Sequence, residues 1–348
     1  MTSKRLGFFT RVLDDAPPAE RYRLAVEQIR HAEELGFTSA WVAQHHFNRD
    51  EGGMPSPFVF LGHVAAVTSR IRLATGILTL PLENPVRAAE DASVLDALSG
   101  GRLDVGVGSG GTATAFPAFG EESDERGAVF AQHLRLLKRA WAGDSLPGGN
   151  HLYPAGLPLA DRVWQATFSE SGGQRAGAAG DGLLLSRTQP RTGERPDATL
   201  AELQTPIVEA YLAALPAGRT PRILGSRSVF VADDRSDALR FATIGLTRAA
   251  EHLAASGRPP VGRTVDELIA EFDVHVGTPD DVIASLAADT SLEHATDVAF
   301  QVHSVDPPHE FVLRSLELAA TRVAPALGWA IDAPLLTTSL SEPERSRA

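Results

Sequence analysis

Short apolar runs alternate with amphipathic stretches along this chain, and that rhythm constrains its fold more than any other feature. LGFFTRV (6–12), SAWVAQHHF (39–47), IRLATGILTLPL (71–82), LDVGVGSGG (103–111), VWQATFSE (163–170), GLLLS (182–186), RILGSRSVFVA (222–232) and DVAFQVH (297–303) read as strands. Stretches with helical spacing of apolar residues follow them, at 17–35, 58–69, 85–98, 121–142, from 171 onward, 200–215, 236–256, 279–288 and 307–324. Segment 257–278 fits neither pattern and reads as an insertion. Strands that are apolar nearly throughout are buried on both faces, as in parallel sheets. Strand–helix alternation therefore predicts an α/β fold, and about eight units favour a closed (β/α)8 TIM barrel over an open doubly wound sheet. No shift in composition marks a linker, so residues 1–330 are expected to form one barrel domain, with a polar tail over 331–348.

Charge and composition narrow the partners. The 32 basic and 44 acidic side chains leave a formal charge of −12, which disfavours nucleic acid and anionic membrane surfaces. Cysteine is absent, so disulfides, thiolate nucleophiles and cysteine metal sites are excluded. The apolar run after Lys4-Arg5 is too short for a secretory signal. No stretch approaches the roughly 20 apolar residues that span a bilayer. A cytoplasmic protein is expected.

In a barrel of this kind the active site lies at the C-terminal strand ends. His45 and His46 fall there. Alternation along a strand places Trp41, Ala43 and His45 on one face, so His45 is expected to point into the barrel and His46 towards the helices. The plainer alternative is a histidine satisfied by a backbone carbonyl. No HxH or HxxE spacing lies nearby, and no metal site is expected. Thr75-Gly76-Ile77 puts a glycine inside a strand, which calls for a bulge, a close backbone approach or relief of crowding. Gly106, Gly108 and Gly110 alternate at the end of the fourth strand, beside Ser109, without the spacing of a dinucleotide fingerprint. Glu170-Ser171-Gly172-Gly173 runs into a helix whose N-terminus suits an anion, with Ser171 as hydroxyl donor or simple cap.

Taken in order, these stretches resemble the bacterial luciferase-like flavin monooxygenase family from about Leu6 to Trp329. The most specific part runs from WVAQHHF through LPLENPVRAAEDASVLDALSGGRLDVGVGSG to Phe119-Gly120, and GTPDDVIASL (277–286) agrees with it. The resemblance implies a barrel that takes reduced FMN, usually from a separate flavin reductase, and uses O2 to oxidise a small organic substrate. It implies that His45 assists the oxygen chemistry. It implies a non-proline cis peptide at Gly76-Ile77 beneath the flavin ring, with Thr75, Gly108 and Ser109 beside it. The Glu170-Ser171 turn, with Gly172 and Gly173, would receive the phosphate, and a homodimer is expected. Two positions depart from the pattern. Gln44 stands where many relatives carry an acid, which argues against light emission. Ser109 replaces a phosphate-binding arginine, which argues against tight FMN binding. A deazaflavin-dependent hydride-transfer enzyme and a non-catalytic partner subunit are the competing readings.

Overall fold

The computed structural model describes residues 3–191, 195, 197–255, 257, 260–303 and 306–332. Ten strands are found among them: β1 (Arg5–Thr10), β2 (Ser39–Val42), β3 (Arg72–Thr75), β4 (Leu78–Thr79), β5 (Leu103–Gly108), β6 (Val163–Ala166), β7 (Gly182–Leu185), β8 (Ile223–Val231), β9 (Val274–Gly277) and β10 (Asp297–Gln301). The intervening helices are α1 (Pro18–Glu34), α2 (Pro57–Val67), α3 (Pro85–Leu98), α4 (Arg126–Trp141), α5 (Glu170–Ala178), α6 (Leu200–Ala214), α7 (Arg235–Ala255), α8 (Val265–Glu271), α9 (Pro279–Ala287) and α10 (His309–Leu318). The strands pair in parallel in the order β10-β1-β2-β3-β5-β6-β7-β8, and a β8–β10 pairing closes the ring. β4 continues the line of β3 and pairs with β5. Counting β3 and β4 as one strand, the ring is the expected eight-stranded (β/α)8 barrel.

Two expectations need correction. Segment 257–278 is not featureless: it holds α8 and β9, and β9 pairs with the upper half of β8, from Ser228↔Val274 to Val231↔Gly277. β10 pairs with β8 from Leu224 to Ser228, so Ser228 has partners in both β9 and β10. The second strand stops at Val42 rather than reaching Phe47. Beyond it the His45 N–H goes to the Met54 carbonyl of the following loop, and Phe47 has a positive φ. The polar tail falls outside the described residues from 333 onward. Among those described, no helix is long and apolar enough to cross a membrane.

Registers around β3 and β4 explain the glycine inside the third apolar run. Ala74 lies opposite Asp104, and Leu78 opposite Val107. Three residues, Thr75, Gly76 and Ile77, therefore face only two, Val105 and Gly106. The extra residue is a bulge. It drives the Thr75 carbonyl so close to Gly106 that a Cβ there would sit 2.1 Å from the oxygen. The Thr75 hydroxyl donates to the Gly106 carbonyl at 2.7 Å and holds the bulge shut. The Gly76-Ile77 peptide is cis.

The glycines of SGGQRAG also have a packing role. A Cβ on Gly173 would come within 2.4 Å of the Ile207 carbonyl, and one on Gly177 within 2.2 Å of the Tyr211 carbonyl. Spaced four apart, they form one face of α5 that lies directly on the α6 backbone. Gly173→Ala should lower the midpoint of urea unfolding. Overpacking against main chain costs about 1–3 kcal/mol, which outweighs the roughly 1 kcal/mol that alanine gains in helix propensity. A raised midpoint would show that α5 shifts away without cost.

Candidate active site

A cavity of about 650 Å³ opens at the C-terminal ends of the barrel strands. Its floor is apolar. Trp41 and Trp164 meet edge to face with ring centroids 5.5 Å apart, and Ala74, Leu184, Leu224 and Ala299 pack around them. Each comes from an inward position of its strand, so the alternation predicted for β2 holds as far as Trp41. Ile77 and Gly108 lie above this floor, and a Cβ on Gly108 would come within 3.0 Å of the Ile77 side chain.

Both histidines line the cavity, not His45 alone. Because β2 has ended, the two-residue period no longer governs them. The fully inward-tucked residue is Gln44, 5% exposed. Its amide nitrogen donates to the Glu83 carboxylate at 2.7 Å and to the Pro55 carbonyl at 3.1 Å. Its amide oxygen accepts from the Thr79 N–H at 2.6 Å. A carboxylate at residue 44 could accept from Thr79 but could not donate to Glu83. The neutral amide thus ties the ends of β2 and β4 together. Burial raises the Glu83 pKa, opposed by the Gln44 hydrogen bond.

His45 Nδ1 faces the Glu51 carboxylate at 3.8 Å. Burial, reinforced by the charges of Arg11, Arg187 and His46, brings the His45 imidazole down to about 3, so it is neutral. Burial also lowers His46, whose ring stands edge-on to Phe119 with centroids 4.8 Å apart. The exposed part of His45 looks onto the cavity, which reconciles its partial accessibility with so large a shift.

At the β6 end, Thr167, Phe168 and Ser169 line the cavity, while Glu170, Ser171, Gly172 and Gly173 do not. Ser169 rather than Ser171 caps α5, its hydroxyl accepting from the Gly172 N–H at 3.2 Å. Ser171 stands one position into the exposed first turn, its hydroxyl 3.2 Å from that of Ser169. Arg126 and Arg175 line the same end. The Arg175 guanidinium sits 5.0 Å from the centre of the Phe130 ring, one helical turn beyond Arg126 on α4. Thr75 is fully buried and lies behind the lining; Gly76, Ile77, Gly108 and Ser109 belong to it.

Sequence reasoning missed four lining arginines: Arg11, Arg126, Arg175 and Arg187. Arg11 and Arg187 stand just past the ends of β1 and β7. A cation directly after an apolar strand of a barrel was the available signal. Among the described residues no His, Asp or Glu cluster suits a metal ion.

The comparisons with known proteins agree with this geometry. Residues 6–293 match the family model for luciferase-like monooxygenases, and the chain belongs to that family. The expected oxidoreductase of the monooxygenase type follows. The chain is 31% identical over 324 residues to 4-hydroxyprotoasukamycin monooxygenase of Streptomyces nodosus subsp. asukaensis, covering 86% of this chain and 85% of that one. The crystal structure of monooxygenase RslO1 from Streptomyces bottropensis superposes with a TM-score of 0.77 at 27% identity, over 93% of this chain and 99% of that one. An F420-dependent glucose-6-phosphate dehydrogenase of Kineococcus radiotolerans is 33% identical over 44% of this chain and 50% of its own. Three further relatives match over 32% to 47% of their length, and a Bacillus subtilis relative over 69% of its own.

Lowering the pH should weaken the fold through His45. Its folded pKa lies below the unfolded value of 6.5, so the unfolded chain binds the proton first and stability falls as pH drops below that value. His45→Gln should therefore lose less stability than wild type between pH 7 and about pH 5, as read by urea unfolding at each pH. Equal losses would mean that the imidazole is protonated in the native cavity.

Proposed function

We propose that this protein is an FMN-dependent monooxygenase, cytoplasmic and homodimeric, which takes reduced flavin from a separate reductase and uses O2 to oxidise a small organic molecule. One observation carries the reading: a single cavity joins the bulged Gly76-Ile77 segment, a neutral histidine, the α5 N-cap Ser169 and two arginines, Arg126 and Arg175. The residues fit a flavin. Gly76, Ile77 and Gly108 offer a surface on which a flat ring can lie against backbone, with Thr75 fastening the bulge from behind. The α5 N-terminus, with Ser169, Ser171 and the neighbouring Arg126 and Arg175, suits a phosphate. In the first turn Glu170 is exposed, where its carboxylate can turn to solvent, and Gly172 and Gly173 keep the turn close to its neighbours.

Bound reduced FMN would supply the electrons that activate O2. The chain binds and orients it, excludes water with the Trp41 and Trp164 floor, and moves protons. His45, with Nδ1 3.8 Å from the Glu51 carboxylate, is held neutral at working pH and is able to accept a proton and return it. The partial match to an F420-dependent dehydrogenase supports a second reading, hydride transfer with a deazaflavin. The match to a monooxygenase over 86% of the chain favours O2 chemistry over hydride transfer.

The cosubstrate role predicts that anaerobic titration with reduced FMN gives a tighter complex than titration with oxidised FMN, and that O2 is then consumed. Equal affinities would count against it, and turnover without O2 would favour the deazaflavin reading. A second measurement locates the phosphate. Arg126→Met should weaken FMN binding by about tenfold or more, the worth of a hydrogen bond to a charged group, and leave riboflavin binding unchanged. Equal losses for both flavins would place the phosphate elsewhere.

A further inference from the structure

We propose that Arg11, Arg187 and Ser226 form a binding wall for the carboxylate of a small organic acid, so that the substrate of this enzyme is an anion. The inference rests on the monooxygenase reading above and names the substrate class for the same cavity.

Arg187 reaches across the inner face of the barrel from the end of β7. Its Nε donates to the Gln301 side-chain oxygen at 2.8 Å and its Nη1 to the Ser228 hydroxyl at 3.2 Å. Ser228 and Gln301 are the last registered pair of the β8–β10 ladder. Arg11, from the end of β1, donates to the Glu51 backbone carbonyl, and its Nε is buried without a hydrogen-bond partner. Ser226 is 6% exposed, lines the cavity, and its hydroxyl has no partner either. Among the described residues no carboxylate lies within ion-pair distance of either guanidinium. The nearest acids reach Arg11 only through space: Glu51 takes the Thr112 hydroxyl at 2.9 Å and faces His45, and Asp306 pairs through Oδ1 with Arg248 at 2.6 Å, its Oδ2 without a partner.

Two cations that share a desolvated wall repel each other, and burial lowers both, Arg187 to about 9 with the Arg11 charge adding to it. Guanidinium remains charged in proteins, so this wall needs an anion from outside the chain. A carboxylate matches the fork of a guanidinium and can accept from the serine hydroxyl as well. The flavin phosphate is not the candidate. Its proposed cradle lies at β6 and α5, whereas the partners of Arg187 sit on β8 and β10, two and three places further round the ring. Beneath the wall, Leu224, Leu184 and Ala299 give the body of the acid an apolar seat.

Calorimetric titration of the full chain with benzoate and with its neutral analogue benzamide, in the presence of saturating FMN, tests this. Benzoate should bind wild type about tenfold or more tightly than benzamide. Arg187→Met should erase most of that preference, and Arg187→Lys should keep part of it. Arg11→Met should also reduce it, and serves if Arg187→Met does not fold. Equal binding of the two probes to wild type overturns the proposal, as does a preference that survives both methionine variants. Displacement of FMN by benzoate overturns it too, because the anion would then sit in the phosphate cradle. So does a matching loss of riboflavin affinity in Arg187→Met, which would assign the guanidinium to the flavin ring. A chain that prefers benzoate but binds no FMN supports the wall and sinks the cofactor reading instead.

Discussion

The pairing of β10 with both β1 and β8 is the contact on which the rest of the molecule depends. Without it the sheet would have two open edges, each a row of unpaired backbone groups. With it, eight parallel strands share one direction and all their C-terminal ends meet at one rim. Residues distant in sequence, such as Arg11, His45, Ser169 and Gln301, therefore line one cavity. The closure is also where the ring is most particular. β8 pairs with β7 from Ile223 to Gly225, with β10 from Leu224 to Ser228 and with β9 from Ser228 to Val231, so Ser228 has neighbours in two strands. The side chain of Arg187 bridges β8 and β10 at that height, where their registered pairing ends.

Electrostatics inside the cavity run against those of the whole chain. The protein carries a formal charge of −12, yet four arginines line the cavity. A net negative exterior with a cationic interior lets a specific anion enter and keeps polyanions off the surface. Burial, reinforced by Arg11 and Arg187, holds His45 neutral, so a base is available where a protonated imidazole would add a further positive charge.

Much of the architecture was legible because it rests on local pattern. Apolar runs and their spacing gave the ring, and Pro85–Leu98 was found to the residue because Pro85 and the Gly100-Gly101 pair mark its limits. The glycine of Thr75-Gly76-Ile77 called for a bulge, a close approach or relief of crowding, and the registers on either side of it show the bulge. The histidines were misread in part because parity holds only while a strand lasts, and what ends β2 is the bonding of the loop that follows. β9 was hidden because it joins the outer flank of an existing strand and has only four residues, VHVG. Ser171 was weighed as the cap of α5 when Ser169 holds that position. Two serines two residues apart are indistinguishable until the backbone shows which lies outside the helix. The arginines of the cavity carry no motif at all; their meaning comes from which strand ends face each other.

The contact between α5 and α6 has a consequence for descent. Gly173 and Gly177 let main chain rest on main chain, and the atoms that meet there, the carbonyls of Ile207 and Tyr211, are present whatever side chains those residues carry. The seat of α5 depends on α6 main chain as well as on side chains such as Ile207 and Ala214. Lineages can rework the opposite wall, where recognition depends on individual side chains, while the α5 end keeps its position. One barrel can then pass through many substrate preferences without having to rebuild the half of its cavity that α5 anchors.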